Sequence, residues 1–429
     1  MENMRPIPRL YYFYRRTRKR LAILFAIMGP GIIVMVADND AGGITTYAVS
    51  GARYEYNLVL LVLGFAMLAY FVQEMTVRLG AVTKRGHAEA IFDGFGPFWG
   101  WFSLIDLTVV NFLTIVTEFI GMISATSIFG IPPVYTVVAA IAFLTILVLT
   151  GRYWTFERIA LVLCFVNMIY VPAAFLARPE WNTVLQGVFH PSFPKGVTVG
   201  LLTLIMANIG TTIAPWMLFF QQSAVVDKEL DEKDVPYSKI DTALGAILTG
   251  AGAAFIMIAT GAALHHSTPN ITDASQAAAS LAPIAGQYAG ALFAVGLFDA
   301  GLLGAICISL ASSWAFGEVF GWAHTLNVNV RSAPWFYLFY FVNLALAGVI
   351  VLIPGAPFVL ITLFVQVIAV TLLPAALVFL ILLLNDKPLM GSYANTKLQN
   401  VIDWTIVAAV IGISTLYGVS TIFPNLFGG

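Results

Sequence analysis

The sequence predicts an all-α polytopic membrane protein: two halves of five spans with an eleventh helix added, spans 1 and 6 unwound at the centre. Three observations carry this. Of 429 residues, 59% are hydrophobic and only 10% charged, with mean hydropathy +0.88, whereas soluble domains carry about 25% charged residues. The apolar residues fall into runs near the ~20 residues that a helix needs to cross a bilayer. Lys and Arg collect in alternate loops. A water-soluble protein is excluded, and a net charge of −1 gives no global attraction to nucleic acid.

Residues 1–20 are basic and aromatic and lack a small-residue cleavage site, so they read as a cytoplasmic tail and not a signal peptide. The first half occupies 21–177, with spans at 21–50, 56–79, 98–129, 133–151 and 156–177. The second occupies 196–384, with spans at 196–226, 241–265, 286–318, 333–353 and 356–384; 403–424 is the accessory span. With the N-terminus inside, seven basic residues of the tail and Arg78, Lys84, Arg85, Arg152, Arg158, Lys228, Lys233, Lys239, Arg331, Lys387 and Lys397 face the cytoplasm. Only Arg53, Arg178 and Lys195 fall outside. That asymmetry obeys the positive-inside rule, fixes an odd number of spans and puts the C-terminus outside.

Taken in order, span 1 reads GPGIIVMVADNDAGGITTYAVSG (Gly29–Gly51), with Asp38, Asn39 and Asp40 directly before Ala41-Gly42-Gly43. Span 2 ends on Glu74 and Arg78, four apart, which reads as a surface pair. Span 3 carries Asp106, unassigned, and Glu118, either a pathway group or a buried acid. Cys164 (span 5) and Cys307 (span 8) read as buried thiols. Span 6 reads ANIGTTIAPWMLFFQQS (Ala207–Ser223), with Gly210, two threonines and Pro215 in mid-membrane. His265-His266 closes span 7 as a solvated loop start, followed by a weak Asn270-Ile271-Thr272 sequon. Asp299 in span 8 reads as a helix-packing hydrogen bond, and Gln366 stands alone in span 10. Interrupted helices at matching positions of two halves point to the central site of an inverted-repeat transporter.

An aspartate at a helix centre costs about 2.5–3.5 kcal/mol on the insertion scale, and no Lys or Arg lies mid-span to pair with it. A cation from solution is the economical partner. Asp40 is the leading candidate: where the helix unwinds, its carboxylate and a freed carbonyl such as that of Ala37 offer hard oxygen donors suited to Mg²⁺, Mn²⁺ or Ca²⁺. Asp38 lines the entry or bonds the broken backbone; Asn39 takes the second role. There is no P-loop, no His/Cys constellation and no nucleophile–base set, so neither ATP-driven transport nor an enzyme is expected, and no cofactor.

The chain is similar to the NRAMP family of divalent-metal transporters over essentially its whole length. The likeness lies in GPG (Gly29–Gly31) and Asp40, TEFIGMISA (Thr117–Ala125), IGTTIAPWM in span 6, GQYAGALFAVGLFDAGL (Gly286–Leu302), VQVIAVTLLPAAL (Val365–Leu377) and NDKPLMG (Asn385–Gly391). It implies the LeuT-type fold of two inverted five-helix repeats, and a metal site of Asp40, the Ala37 carbonyl, the Thr211 carbonyl position and Gln366. Three departures stand out. The family's D-P-G-N is Asp40-Ala41-Gly42-Gly43 here, its span 6 methionine is Ala214, and its span 6 histidine is Trp216. Losing an amide and a thioether enlarges the site and leaves hard donors, which suits a partly hydrated Mg²⁺.

The proton path that the resemblance implies is also depleted. Ile115 stands at its aspartate, 333–353 holds no Lys, Arg or His, and Glu118 alone survives beside Trp216. The expectation is facilitated, uncoupled transport of Mg²⁺ and Mn²⁺ across a bacterial plasma membrane, as in the NRAMP-related magnesium transporters. A proton-coupled Mn²⁺/Fe²⁺ symporter and an amino-acid transporter of the same fold remain the alternatives. The oligomeric state is not legible.

Overall fold

The computed structural model describes residues 26–267 except 195, together with 270, 271, 275, 276, 279, 287–423 and 425. The basic tail, Lys195 and Thr272 of the sequon lie outside the described residues. The described elements are helices: α1 (Pro30–Ala37), α2 (Ala41–Tyr54), α3 (Val59–Thr83), α4 (His87–Phe95), α5 (Pro97–Ser127), α6 (Pro133–Leu149), α7 (Tyr153–Asn167), α8 (Tyr170–Leu176) and α9 (Trp181–Phe189). They continue as α10 (Val199–Thr212), α11 (Pro215–Asp227), α12 (Val235–Leu264), α13 (Gln287–Phe320), α14 (Pro334–Val351), α15 (Phe358–Asn385), α16 (Lys387–Met390) and α17 (Lys397–Ile422), with 3₁₀ turns at Glu232–Asp234 and Gly391–Tyr393.

Among the described residues, nine helical stretches are long and apolar enough to cross a membrane. The 17-residue α6 and the half-helices α1 and α2 occupy the two other positions expected from the sequence. Span 5, expected as one helix, is broken between Asn167 and Tyr170. Pro172 lacks the N–H that would bond the Met168 carbonyl, and the buried Asn167 amide instead reaches the Asn39 carbonyl at 3.4 Å.

Loops after even-numbered spans meet on one face. Lys84 pairs with Asp231 at 2.6 Å, Thr325 and Leu326 bond Asp227, and the Tyr393 hydroxyl donates to the Glu232 carbonyl. On the opposite face Ser192 N donates to Asn57. The Glu74–Arg78 pair, expected at the surface, is buried: Arg78 holds Glu74 at 3.1 Å, Lys239 holds the other carboxylate oxygen at 2.6 Å, and Arg78 also reaches the Tyr393 carbonyl. It ties α3 to α12 because charges taken out of water need every partner supplied.

The helix pair α10–α11 is the most enclosed of the spans and α17 the most peripheral. Outward-facing apolar side chains such as Phe165, Ile247 and Val349 meet the lipid. Cys164 and Cys307 are free and buried.

His87 starts α4, outside the spans, fully buried with its Nδ1–H on Gln222 Oε1 at 2.9 Å and its ring edge-on to Phe219. Burial lowers its pKa from 6.5 to about 4. A base depressed by folding contributes stability above its unfolded pKa, and that stability is lost as pH falls from about 6.5 to about 4. The thermal midpoint in detergent should therefore drop over that window, by an amount corresponding to about 3 kcal/mol. His87→Asn should flatten the drop, and an unchanged profile in that variant would count against it.

Candidate functional site between the two broken spans

Span 1 breaks for a reason visible in its hydrogen bonds. Asp40 has extended backbone (φ −69, ψ 177) and caps α2 by accepting Gly43 N at 2.6 Å. In an unbroken helix the Ala41 amide would bond the Ala37 carbonyl. It bonds Glu118 Oε2 of α5 instead, at 2.9 Å, and so releases Ala37 O. Span 6 breaks by the same logic. Ala214 is extended ahead of Pro215, as a residue before proline must be. Pro215 has no N–H for the Thr211 carbonyl, and the Ala214 amide turns to Met217 Sδ at 3.5 Å. Two carbonyls, Ala37 and Thr211, are thereby freed in mid-membrane.

The glycines show how closely the elements converge. A Cβ on Gly43 would lie 2.6 Å from Thr211 Oγ1, 2.9 Å from the Asp38 carbonyl and 3.3 Å from Asp40 Oδ1. On Gly42 it would lie 2.4 Å from Gln366 Nε2 and 3.1 Å from Thr117 Oγ1. On Gly304 of α13 it would lie 2.6 Å from Glu118 Oε2 and 2.9 Å from Asp40 Cβ, and on Gly210 1.9 Å from the Gln366 carbonyl. Only hydrogen fits at these four positions, so α2, α5, α10, α13 and α15 close on one point.

Asp38, Asp40, Gly43, Thr211 and Gln366 thus come together. The Thr211 hydroxyl and Gln366 Nε2 are buried without a hydrogen-bond partner, as are both Asp38 carboxylate oxygens. Turning the Gln366 amide over presents Oε1 in place of Nε2. Asp40, Thr211 and Gln366 are each at most 2% exposed. Cavities of about 560 Å³ on the Arg53–His265 face and about 320 Å³ on the Lys84–Glu318 face both stop short of them. The site is shut from both sides.

Other residues are placed differently from expectation. Ala214 contributes no donor side chain, yet its neighbour Met217 brings a thioether to the break, spent on the Ala214 amide. Glu118 is a structural acceptor at the break, with Thr117 Oγ1 3.4 Å from its second oxygen. Trp216 is fully buried against Phe220, which in turn packs on Trp314. Asn39 donates to the Thr249 carbonyl at 3.1 Å, pinning the broken backbone to α12. Asp299, expected in a helix-packing hydrogen bond, has Oδ2 buried with no partner among the described residues. At the loop start His266 is exposed, while His265 is half-buried and its Nδ1–H donates to the Ala52 carbonyl at 3.0 Å.

Sequence reasoning missed Thr117, Met217 and Gly304. A threonine or glycine carries no mid-membrane cost, so nothing marks it among apolar neighbours. Among the described residues no cluster of three or more His, Cys, Asp or Glu side chains is placed to hold a metal; any ion here relies on backbone, amide and hydroxyl oxygens beside the carboxylates.

A family model described as natural resistance-associated macrophage protein-like (Nramp) matches residues 31–420. "Divalent metal cation transporter MntH" of Erwinia tasmaniensis is 27% identical over 419 residues, covering 93% of this chain and 95% of that one. The MntH of Yersinia pestis is 26% identical over 402 residues, covering 91% and 94%. Among solved structures, the Eremococcus coleocola manganese transporter superposes with TM-score 0.77 at 22% identity, covering 97% of this chain and 88% of that one. MhsT in complex with L-phenylalanine follows at 0.61 and 14%, covering 93% and 98%. These likenesses give the LeuT-type fold.

Proposed function

Because the chain belongs to the Nramp family, we propose that it carries divalent metal ions, Mg²⁺ and Mn²⁺, across the membrane by alternating access around Asp40, without coupling to protons. The lipid bilayer is its setting and the ions are cargo; it is not an enzyme. One observation carries the reading. The two span breaks leave the Ala37 and Thr211 carbonyls without helical partners, and around Gly42 and Gly43 the Asp40 carboxylate, the Gln366 amide and the Thr211 hydroxyl converge. Hard donors, with no thioether side chain at Ala214, favour a hard ion. This supports a place beside the NRAMP-related magnesium transporters.

Uncoupled transport is supported by the fixed duty of Glu118, which accepts the Ala41 amide, and by the indole of Trp216 in place of a titratable ring. The membrane potential alone supplies about 2.3 kcal/mol per charge per 100 mV. Uptake toward the basic face of the protein, expected to be cytoplasmic, follows in a bacterial plasma membrane.

The Met217 thioether at the span 6 break favours a second reading, a proton-coupled Mn²⁺/Fe²⁺ symporter. Proteoliposomes separate the two. Mg²⁺ and Mn²⁺ should enter without acidifying the lumen, while Cd²⁺, a soft ion, should compete poorly. Ala214→Met, which restores a free thioether, should raise Cd²⁺ entry at least about tenfold. Strong Cd²⁺ transport with metal-dependent acidification in the unaltered protein would refute the proposal. An amino-acid substrate is disfavoured, since two carboxylates at the break repel a third.

A further inference from the structure

Asp38 is the acid that the donor set above leaves unused. It is wholly buried, neither carboxylate oxygen meets a hydrogen-bond donor, and it takes part in none of the ion pairs among the described residues. A capping or backbone-bonding role would show a donor on it. Asn39 beside it has one on the Thr249 carbonyl, and Asp40 has one from Gly43.

Three hydroxyls, those of Tyr47, Thr211 and Thr212, lie at the same break. Tyr47 lies two turns beyond Asp40 on α2, on the same face. Its hydroxyl meets Thr212 Oγ1 at 3.1 Å, within electrostatic reach of Asp38 and Asp40. The unpartnered Thr211 hydroxyl, the Asp38 backbone carbonyl and Asp40 Oδ1 all border Gly43, so the Asp38 backbone, the Asp40 carboxylate and the Thr211 hydroxyl meet around one glycine.

We infer that Asp38 is the second carboxylate of the ion site, acting through water: it and the Tyr47, Thr211 and Thr212 hydroxyls hold the ion's retained hydration shell, while Asp40 and the freed carbonyls touch the metal. The inference rests on the metal-transport reading. Its chemistry is general. Mg²⁺ gives up water reluctantly, and water on a dication needs acceptors in a dry interior. Asp38 also adds negative charge to balance a 2+ ion where no basic side chain is near, alongside Asp40 and the Glu118 carboxyl that accepts the Ala41 amide. Mn²⁺ loses water more readily, so it leans less on this outer half.

Calorimetric titration of the purified full-length protein with Mg²⁺ and with Mn²⁺ tests it, using Asp38→Asn and Tyr47→Phe. Asp38→Asn should weaken Mg²⁺ at least tenfold and Mn²⁺ by a smaller factor; Tyr47→Phe should weaken Mg²⁺ about threefold and spare Mn²⁺. The thermal midpoint in EDTA discriminates further. Removing an uncompensated buried charge should raise it in Asp38→Asn and shrink the upward shift on adding Mg²⁺, whereas a merely structural aspartate predicts a lower midpoint and an intact shift. Wild-type Mg²⁺ affinity in both variants overturns the inference and leaves metal transport standing. If the unaltered protein binds Mn²⁺ but not Mg²⁺, the Mg²⁺ reading fails, and an unchanged Mn²⁺ affinity in Asp38→Asn then overturns the inference as well. If Asp38→Asn does not fold, Tyr47→Phe decides: equal loss for both ions, or none, overturns it.

Discussion

Replacing Asp40 should abolish metal uptake, and the choice of replacement separates charge from fold. Asp40 has two jobs. Its Oδ1 caps α2 by accepting the Gly43 amide at 2.6 Å, and its carboxylate faces the point where Gln366, Thr211 and the Asp38 carbonyl converge. Alanine removes both: the lost cap costs about 1 kcal/mol of stability, and the ion loses its direct charged ligand. Asparagine keeps a side-chain oxygen for the cap and removes only the charge. Both variants should lose Mg²⁺ and Mn²⁺ affinity by more than the ~10–100-fold typical of an outer-shell partner. Proteoliposome uptake should fall to background in both, while the thermal midpoint of Asp40→Asn stays near that of the unaltered protein. Uptake at the normal rate in Asp40→Asn would remove Asp40 from the site.

The parts of this site that the sequence exposed are those the bilayer makes expensive. A carboxylate, a proline or a lone glutamine in an apolar run stands out because lipid charges for it, so Asp38, Asp40, Pro215 and Gln366 could be singled out. The eleven-span topology is legible for the same reason, since miscounting one span inverts every later loop. What stayed hidden depends on three-dimensional closure. Glu118 reads equally as a pathway acid or a buried acid, and no spacing within span 3 shows that it accepts the Ala41 amide. Asn167, at the break in span 5, reaches Asn39, 128 residues away. The burial of Glu74 and Arg78 depends on Lys239, and no spacing within span 2 reveals a partner on α12. Gly304 reads as one more small residue until Asp40 and Glu118 are seen packed on it.

Asp241→Ala should open the basic face of the protein. α1 is only eight residues long, and the break at Asp38–Asp40 uncouples it from α2. Its position therefore depends on what holds its foot. Gly29 takes φ 154, open only to glycine, beneath the Glu157 carboxylate. The Asp241 carboxylate of α12 accepts the amides of Gly29, Gly31 and Ile32 at 3.1, 2.7 and 3.3 Å. Lys228 at the end of α11 bonds the Ile27 and Met28 carbonyls at 2.9 and 3.0 Å and pairs with Glu157 at 2.6 Å. Amides that start a helix have no partners within it, so Asp241 satisfies groups that would otherwise be orphaned in a buried position. Movement of α1 off α12 to uncover Asp40 from the basic face would break these bonds. Hydrogen bonds to a charged acceptor contribute about 1.5–3 kcal/mol, so losing this acceptor should shift the closed-to-open ratio by up to about 150-fold. The readout is alkylation of a cysteine at Ile33, wholly buried on α1, by a membrane-impermeant maleimide. The native thiols Cys164 and Cys307 are both buried and should give little background. Labelling from the basic face should accelerate at least tenfold in Asp241→Ala and less in Lys228→Met, which leaves the three amides capped. Maximal uptake should fall, because the carrier dwells open on one side instead of returning. Unchanged labelling in Asp241→Ala would mean that the Asp241 carboxylate does not hold α1 closed.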